Sequence, residues 1–488
     1  MGAAAGRQRM SADKGARSGV GDPTGDCILA GVRPYGGHRT DVTIRAGRIA
    51  AMEPAADRAD GDTATPTQTV IDARDLILLP GLVDLHTHLR EPGGEESETI
   101  ATGARAAAAG GFTDVFAMAN TYPVTDDADR IREVKERSRE QTSARVHPVG
   151  AITRGLRGTE LAPLEDMAAA GARVFSDDGK CVNDSALMRR AFRSAAANDV
   201  TIAQHAQDGP IAGDGQINAG PVAETTGLPP WPSVAEHIII ARDALLAAEF
   251  GAHLHVCHLS TRGSVDIVRW AKSQGWPVTA EVTPHHLLLT DEIAALADPR
   301  YKVNPPLRSD DDVLALREAV LDGTIDAVAT DHAPHTAESK DNHWCDAPFG
   351  MIGLETAAAV VAYVLADCGG LDWRRFAELT STTPARIGRI ADFAGRPLAV
   401  GEPANFALVN SDHTWSPDTS RRFSRSSNTP FPTFEFSHKV VGAVCDGVFT
   451  HVDADGGLSV GDQTESYLHR TQNTHMITPS TAEGAHSR

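Results

Sequence analysis

The alternation of hydrophobic and polar positions divides the chain into three parts. From residue 27 to about residue 73 apolar and polar residues alternate, as in 41–49, which is typical of short antiparallel strands joined by glycine turns. A similar alternation of apolar and polar residues occurs again at residues 405–409 and 440–449. Between these parts, short apolar runs alternate with alanine-rich stretches, which predicts repeated βα units around a parallel sheet.

Eight apolar runs in the central part predict eight strands. They cover residues 82–88, 113–119, 146–152, 173–177, 201–205, 253–258, 278–283 and 325–330. Segments such as 99–109 and 241–250 have the composition of intervening helices. Eight βα units favour a closed barrel over an open sheet. The predicted fold class is therefore α/β, a (β/α)8 TIM-like barrel with a small β-sandwich domain built from both ends of the chain.

The predicted domain boundaries follow from the same pattern. We expect a β-sandwich domain from 27–80 and 395–460, and a catalytic barrel over 81–394. Residues 1–26 and 461–488 are polar and lack an apolar period, which predicts a disordered leader and a disordered tail. Residues 207–232 are rich in Gly, Pro, Asp and Asn, which predicts a loop over the barrel mouth.

Composition narrows the class of function. The chain has 488 residues, 41% of them hydrophobic, without an apolar run long enough to cross a bilayer and without the apolar core of a signal peptide. Its six cysteines form no Cys-x-x-Cys pair, so a reducing cytoplasm is expected and a thiolate zinc site is not. A net charge of −20 argues against nucleic acid or an anionic membrane as partner. An anionic substrate would need its own local cations.

The first candidate for chemistry is a pair of histidines at the end of the first predicted barrel strand. His86 and His88 are two residues apart, so in a strand their side chains share one face, and Arg90 follows two residues later. Two surface histidines are the alternative interpretation. The apolar run 77–83 before them favours a buried strand, where imidazoles need a partner, and a metal ion fits that role.

Further metal-ligand residues fall at the ends of other predicted strands. Those at strands four, five, six and eight are Asp178, His205, His258 and Asp331. Barrels place their chemistry at the carboxyl ends of strands, so these side chains are expected to converge. Six ligands are too many for one catalytic zinc, which predicts two ions. The predicted split gives one ion His86, His88 and Asp331, gives the other His205 and His258, and leaves Asp178 with a hydroxide as bridge.

Other histidines in the strands receive structural roles. His253 and His255 have the opposite parity to the strand-six ligand and are expected to pack against the helices. Cys257 is predicted to face away from the barrel interior as a small buried apolar residue. For His285 and His286 a structural role, or a supporting role behind the ligands, is favoured.

Seven segments resemble a known family. They are 80–94, 116–121, 175–179, 256–261, 301–308, 329–335 and 348–350. The chain from about residue 27 to residue 457 is similar to the dihydroorotases of the amidohydrolase superfamily, in the bacterial monofunctional type. The resemblance implies a barrel with a β-sandwich, two zinc ions per subunit, and reversible cyclisation of N-carbamoyl-L-aspartate to (S)-dihydroorotate plus water in pyrimidine biosynthesis.

The resemblance also implies roles for individual residues. The zinc ligands would be His86, His88, Asp178, His205, His258 and Asp331. Substrate contacts would be His88, Arg90, Asn120, Asn304, His335 and the backbone of Phe349 and Gly350. In the implied mechanism a metal-bridging hydroxide attacks the ring amide, and Asp331 is the general acid and base. The Arg90 guanidinium suits the substrate carboxylate, and Asp84 is expected to orient ligands from behind.

Several alternatives stay open at this stage. A hydantoinase- or allantoinase-like cyclic amidase would share the metal site, and a non-catalytic scaffold relative would share the barrel. A carboxylated Lys180 could replace Asp178 as the bridge. The sequence of residues 206–208, directly after His205, departs from the family pattern, so the role of the loop that they begin is open. A homo-oligomer is expected, with association with aspartate transcarbamoylase as a further possibility.

Overall fold

The computed structural model describes residues 26–56, 69–141, 143–417, 422–453 and residue 458. The predicted disordered leader, except Asp26, and the predicted disordered tail lie outside these residues. Within the described ranges, every helix is too short or too polar to cross a membrane.

The strands fall into three groups along the chain. The first group is β1 (Cys27–Pro34), β2 (Thr40–Arg45), β3 (Arg48–Pro54), β4 (Thr69–Asp72) and β5 (Ile77–Pro80). The second is β6 (Leu82–Thr87), β7 (Phe112–Ala117), β8 (Arg145–Pro148), β9 (Val174–Phe175), β10 (Thr201–Gln204), β11 (Ile217–Asn218), β12 (Pro230–Trp231), β13 (His253–Val256), β14 (Val278–Val282) and β15 (Ala327–Val328). The third is β16 (Phe406–Asn410), β17 (Lys439–Cys445) and β18 (Val448–Val452).

Helices separate the strands of the second group and follow the last of them. The α-helices are α1 (Ile100–Ala109), α2 (Ala128–Arg139), α3 (Leu164–Ala170), α4 (Ser185–Asn198), α5 (Gly209–Ala212), α6 (Pro221–Thr226), α7 (Val234–Phe250), α8 (Arg262–Ser273), α9 (Pro284–Leu288), α10 (Asp310–Asp322), α11 (Ala337–Lys340), α12 (Ala357–Asp367), α13 (Trp373–Ala377) and α14 (Thr383–Ile387). Short 3-10 turns span Arg154–Leu156, Asp291–Leu296 and Pro299–Tyr301, and a π-helical turn spans Glu378–Thr382. The longer helices begin at polar caps; the Thr99 side chain, for example, accepts from the backbone N–H of Thr102.

Eight parallel strands succeed one another in chain order. One sheet has the order β6-β7-β8, and a second has the order β9-β10-β13-β14-β15. A parallel bridge between Gly150 and Phe175 joins the two sheets on one side, and a parallel bridge between Thr87 and His332 joins them on the other. The backbone N–H of His88 donates to His332 O over 2.8 Å at the second junction. The eighth strand position is thereby connected back to the first.

Strands from both ends of the chain share a separate sheet. Its order is β18-β17-β16-β5-β1-β2-β3, with β4 also paired to β1. The two ends meet where β5 pairs antiparallel with β16, for example Leu79 with Ala407. Apolar side chains from both ends, such as Leu29, Val42 and Phe406, are fully or almost fully buried in one cluster. The expected contribution of both termini to one β structure is thus observed, as a single mixed sheet.

The side chains of the parallel strands form an inner and an outer layer. Leu254 and Val256 of β13 belong to the large cluster formed with the helices, whereas Cys257 lies in the inner cluster with residues such as Val83 and Ala329. The predicted orientation of Cys257 is therefore wrong. His258 has a φ of 34°, which breaks the regular strand alternation, so counting back from this residue by twos reverses the faces.

Residues 207–232 are more ordered than their composition predicts. They contain the short elements α5, β11, α6 and β12. The buried guanidinium of Arg308 fixes them from behind, because its Nη1 donates to Asn218 Oδ1 over 2.9 Å and to Trp231 O over 3.2 Å. A glycine- and proline-rich composition does not reveal such a distant anchor.

Candidate active site

Two buried imidazoles lie at the carboxyl end of strand β6: His86 is in the strand and His88 directly follows it. Asp84 lies behind them, and its carboxylate accepts from His86 N over 3.1 Å, from Thr330 N over 3.0 Å and from Thr330 Oγ1 over 2.5 Å. Burial raises the pKa of Asp84 to about 7, despite these hydrogen bonds. Asp84 therefore ties the end of strand one to the segment that precedes Asp331.

The four candidate histidine ligands converge on the Asp178 carboxylate. Asp178 Oδ1 lies 3.2 Å from His86 Nε2, 3.3 Å from His205 Nδ1 and 3.6 Å from His258 Nε2. Asp178 Oδ2 lies 3.3 Å from His88 Nε2. The carboxylate thus contacts imidazoles from three different strand ends.

Asp331 completes the cluster from the end of the eighth strand. Its Oδ1 is 3.1 Å from His88 Nε2 and 3.4 Å from His86 Nε2. Asp331 has a φ of 48°, in the left-handed region where a non-glycine residue carries strain. The strained turn directs the carboxylate at His86 and His88.

The chemistry of this donor set fits a divalent metal. His86 Nε2 and Asp178 Oδ1 are buried and make no hydrogen bond within the described residues. His205 Nδ1 and His258 Nε2 face each other across 2.8 Å. Buried lone pairs that converge without donors need a cation between them. Two groups with metal-ligand spacing share this centre: His86, His88 and Asp331, and His86, Asp178 and His258.

The position of Lys180 separates it from the cluster. Its side chain is exposed, whereas Asp178 is 4% exposed and surrounded by imidazoles. A bridging group must reach the centre of the ligand set. This geometry favours Asp178 over a carboxylated Lys180 in that role.

Arg90 and His335 lie side by side next to the cluster. Arg90 Nε donates to Pro334 O over 3.0 Å, and its Nη2 is 3.4 Å from His335 Nε2. His335 Nε2 donates to Phe349 O over 2.7 Å, because a carbonyl can only accept. Burial lowers the pKa of His335 to about 3 and also lowers that of Arg90. A neutral imidazole and a guanidinium therefore lie side by side next to the metal-ligand cluster. We call this pair of side chains the wall formed by Arg90 and His335.

The backbone at Gly350 passes close to the same wall. Gly350 has a φ of 137°, and a Cβ at this position would lie 2.7 Å from Ala333 Cβ and 2.8 Å from His335 Nε2. The Gly350 N–H donates to Lys302 O over 2.9 Å. Only glycine fits this approach without displacing neighbours.

Two candidate substrate residues are linked to ligands by hydrogen bonds. Asn120 Oδ1 lies 3.0 Å from His88 Nδ1, so the amide also orients that imidazole. Asn304 Nδ2 donates to Gln207 Oε1 over 3.1 Å, and the same oxygen lies 2.8 Å from His205 Nε2. The sequence analysis assigned no role to the loop that contains Gln207. The available signal was that Gln207 is a polar residue two positions after the candidate ligand His205.

Sequence reasoning also missed a buried acid in β14. Glu281 Oε1 lies 3.0 Å from His86 Nδ1, and Glu281 Oε2 lies 2.9 Å from His255 Nε2. His255 therefore does not pack against the helices as predicted. The available signal was an acidic residue inside the short apolar strand β14.

His285 and His286 follow β14 and are both buried. His286 Nδ1 lies 2.7 Å from Thr283 Oγ1, and its Nε2 donates to Pro305 O over 3.1 Å, which is a structural role. His285 Nε2 is buried and makes no hydrogen bond within the described part of the chain. Burial is the main cause that lowers the pKa of both residues, to about 3 for His286.

Solved structures with a similar fold include two hydantoinases. The L-hydantoinase (dihydropyrimidinase) from Arthrobacter aurescens has a TM-score of 0.77 and 25% identity, covering 88% of this chain and 96% of that one. The D-hydantoinase (dihydropyrimidinase) from Thermus sp. has a TM-score of 0.74 and 22% identity, covering 89% and 97%. The fold and the buried imidazole–carboxylate cluster place the chain among the metal-dependent amidohydrolases.

Sequence relatives define the group more narrowly. A family profile described as "Dihydro-orotase-like" matches residues 75–264. The dihydroorotase of Streptomyces coelicolor is 51% identical over 428 residues, which cover 87% of this chain and 98% of the relative. The dihydroorotase of Mycobacterium tuberculosis is 49% identical over 429 residues, with the same coverage. The chain belongs to the dihydroorotase family.

Proposed function

We propose that this protein is a zinc-dependent dihydroorotase that interconverts N-carbamoyl-L-aspartate and (S)-dihydroorotate plus water in pyrimidine biosynthesis. The observation that carries the proposal is identity of about half over nearly the whole length of dihydroorotases. The L-hydantoinase with a similar fold shares only 25%. The alternative hydantoinase- or allantoinase-like activity draws its support from the fold alone.

The six converging residues would hold two zinc ions. His86, His88 and Asp331 would serve one, His205 and His258 the other, and Asp178 both. Zinc bound there would supply a nucleophilic water at neutral pH and polarise the scissile carbonyl. The absence of thiolate from this set suits a hydrolytic ion with imidazole and carboxylate ligands. The presence of all six side chains speaks against a scaffold without activity.

Asp331 is the proposed general acid and base. Its carboxylate lies beside His86 and His88 and is held there by the strained backbone turn. In ring opening it would accept the proton of the attacking water and deliver it to the leaving ring nitrogen. In ring closure the same carboxylate would move the proton in the reverse direction.

The wall formed by Arg90 and His335 is the proposed carboxylate anchor. A guanidinium has five N–H donors, and only one of the two described contacts of Arg90 is a hydrogen bond. The remaining donors match a carboxylate bidentately. Asn120, Asn304 and the backbone of Phe349 and Gly350 would complete the contacts. A neutral hydantoin ring has no group that needs this guanidinium.

The finer architecture and the assembly are part of the same proposal. We infer that the ring of parallel strands is a closed (β/α)8 barrel over 81–394, and that 27–80 with 395–460 form a β-sandwich domain. A homo-oligomer in the cytoplasm is the proposed state, with association with aspartate transcarbamoylase as an additional proposal. Size-exclusion chromatography with light scattering, with and without the transcarbamoylase, tests the assembly.

A turnover assay tests the activity. Purified zinc-loaded protein is given dihydroorotate, hydantoin or allantoin at matched concentrations, and kcat/KM is measured for each. We expect dihydroorotate to be preferred by orders of magnitude. Preference for hydantoin or allantoin would overturn the assignment, and inactivity of a zinc-free protein after zinc addition would favour the scaffold.

A further inference from the structure

The chain between β16 and β17 reaches the candidate active site, although both strands belong to the separate sheet. Its residue Asn428 lies beside the two loops that carry His335 and Gly350. Asn428 is only 3% exposed. A buried amide needs partners for both its oxygen and its nitrogen, so the partners of Asn428 show what this part of the chain does at the site.

The side-chain amide of Asn428 joins these two loops. Its Nδ2 donates to Ala333 O over 3.0 Å and to Gly350 O over 3.1 Å. Its Oδ1 accepts from the backbone N–H of His335 over 3.3 Å. One side chain thus binds the loop between β15 and α11 and the loop between α11 and α12. We call these three hydrogen bonds the amide clasp.

The partners of the amide clasp fix the orientation of the amide. The backbone oxygens of Ala333 and Gly350 can only accept, so the NH₂ group faces them. The backbone N–H of His335 can only donate, so the amide oxygen faces it. Both hydrogens of Nδ2 are used, one for each carbonyl. Among side chains of this shape, aspartate offers at most one donor and leucine offers none, so the clasp requires asparagine.

Backbone contacts continue the connection between the loops. The N–H of Ile352 donates to the backbone oxygen of Asn428 over 3.2 Å. The loops also contact each other directly, since the N–H of Ala333 donates to Met351 O over 2.8 Å and a parallel bridge links His332 with Met351. Asn428 therefore closes the end of a short parallel pairing between the two loops.

The ring of His335 completes a closed circuit of contacts. Its Nε2 donates to Phe349 O over 2.7 Å, while its backbone is held by the amide clasp. The same ring nitrogen would lie only 2.8 Å from a Cβ at Gly350. The spacing between the imidazole and the Gly350 backbone is thus set by contacts at both ends.

The segment that carries Asn428 is itself anchored. Ser426 Oγ donates to Ser97 O over 2.8 Å, and the N–H of Arg425 donates to Glu98 Oε1 over 3.2 Å, so the segment is tied to the loop before α1. Phe431, three residues after Asn428, is 1% exposed in the main hydrophobic cluster. An anchored clasp can resist movement of the loops that it joins.

We propose that Asn428 is a positioning residue for substrate binding, because its amide clasp holds His335 and the Gly350 backbone at the spacing that the substrate needs beside Arg90. This role rests on the proposed function, which assigns the last three residues to the substrate. Hydrogen bonds need donor–acceptor distances of about 2.7–3.2 Å, so a shift of either loop weakens contacts to the substrate. The metal-ligand cluster keeps its own contacts. Loss of the clasp should therefore raise KM more than it lowers kcat.

The chain offers a matched control in a second buried amide. Asn405 is 6% exposed; its Nδ2 donates to Phe393 O over 3.1 Å, and its Oδ1 accepts from the N–H of Asp446 over 2.7 Å. Its backbone oxygen accepts from the N–H of Gly81, directly before β6 and at the opposite end of that strand from the site. Asn405→Ala therefore removes the same kind of side chain away from the substrate contacts.

Hydrogen–deuterium exchange of the full-length protein tests the amide clasp independently of activity. The backbone amide of His335 should exchange about 10-fold faster in Asn428→Ala than in wild type, because it loses its acceptor. Asn405→Ala should leave exchange at His335 unchanged. Wild-type exchange at His335 in Asn428→Ala, or equal acceleration in both variants, would overturn the clasp.

Steady-state kinetics with dihydroorotate tests the positioning role. In Asn428→Ala, KM should rise by about 10-fold, while kcat and zinc content stay near wild type. Asn428→Asp keeps the size and the acceptor but offers at most one donor, so its KM should lie between those of wild type and the alanine variant. This second variant also provides the test if the alanine variant does not fold. Asn405→Ala should keep the wild-type KM.

Two results would overturn the positioning role of Asn428. One is a wild-type KM in both Asn428 variants, and the other is a fall in kcat or zinc content without a rise in KM. Failure of the wild-type protein to turn over dihydroorotate would instead overturn the proposed function, and the exchange result for the amide clasp would stand apart.

Discussion

Buried polar groups are paired differently in two parts of the interior between the parallel strands: the upper half, which contains the six candidate ligands, and the lower half, which contains Glu281, His255 and the polar side chains next to them. In the upper half, His86 Nε2 and Asp178 Oδ1 have no hydrogen-bond partner among the described residues, and ring nitrogens of His205 and His258 face each other. In the lower half, the Glu281 carboxylate lies 3.0 Å from His86 Nδ1 and 2.9 Å from His255 Nε2, and Thr279 Oγ1 lies 2.9 Å from His255 Nδ1. His86, Asp178, Glu281 and His255 are all buried, so burial alone does not distinguish the two halves.

The difference distinguishes two kinds of buried polar group. Unpaired groups are available to bind a metal or substrate, and paired groups hold the first kind in place. A buried polar atom without a partner costs free energy, and such atoms persist where a ligand or metal completes them. Paired groups stabilise the fold and hold the ligands in place. Substitutions in the unpaired set should therefore impair activity, and substitutions in paired sets should impair stability or geometry.

The largest expected effect is on activity, from Asp331→Asn. An amide cannot move the proton, so kcat should fall by about 10²–10⁴-fold in both reaction directions. Rates of dihydroorotate hydrolysis and of cyclisation are measured, with zinc content in parallel because Asp331 is also a proposed ligand. Asp346→Asn on the surface serves as control. Activity near wild type would refute the role of Asp331.

The next effect is on stability, from Asp114→Asn in β7. Asp114 is a paired buried carboxylate, held by Arg145 Nε and Nη2 at 2.8 Å each and by His147 Nε2 at 2.9 Å. Removing its charge leaves the partly buried Arg145 with only its contact to the exposed Asp446, so the free energy of unfolding in urea should fall by about 1–3 kcal/mol. The exposed Asp129→Asn change should have no such effect. Equal stability of both variants would contradict the distinction between paired and unpaired groups.

The same carboxylate predicts a dependence of stability on pH. Burial would raise the pKa of Asp114, but the Arg145 charge and the His147 hydrogen bond outweigh it and hold the pKa well below its usual range. The folded pKa is thus below the unfolded value of about 3.9, so its stabilisation is present above that pH and is lost as pH falls further. Urea unfolding across this acidic range should show a flatter pH dependence in Asp114→Asn than in wild type.

A smaller effect on substrate binding is expected from Arg90→Met. Loss of charge-assisted hydrogen bonds to a carboxylate costs about 1.5–3 kcal/mol, which corresponds to a rise in KM of about 10–150-fold. Steady-state kinetics with dihydroorotate measures this, and zinc content should remain at the wild-type level. The exposed Arg132→Met change is the control. An unchanged KM would remove Arg90 from the anchor.

The smallest effect is expected from Lys180→Met. The exposed lysine is outside the ligand cluster, so zinc content and kcat should equal those of wild type. Mass spectrometry of the intact wild-type protein should show no added carbamate. Loss of zinc in this variant would revive the carboxylated lysine as the bridge and would displace Asp178 from it.

The sequence predicted the upper half of the interior better than the lower half. His86, His88 and Asp331 were recognisable because their residue types stand where apolar strands end. The eight parallel strands were predictable because short apolar segments alternate repeatedly with alanine-rich segments. Each of these signals lies within a short stretch of neighbouring residues, so it can be recognised in a single sequence.

The lower half depended on features that are not local. The left-handed turn at His258 reversed the apparent face of β13, so Cys257 and His255 were assigned to the wrong layer. Glu281 acts on His86 across a sequence separation of 195 residues. Gln207 likewise acquires its role through Asn304, which lies far along the chain. Pairing across such distances is decided by the packing of the parallel strands and leaves no mark in local periodicity.

Anomalous scattering at the zinc edge, from crystals grown without chelator, tests the distinction between the two halves most directly. We predict two zinc peaks among the side chains of the upper cluster, with Asp178 contacting both ions and His86 bound through Nε2. A third group with ligand spacing, His86, Cys257 and Glu281, provides the contrary possibility. A peak at that group, or no peak in the upper cluster, would contradict the account.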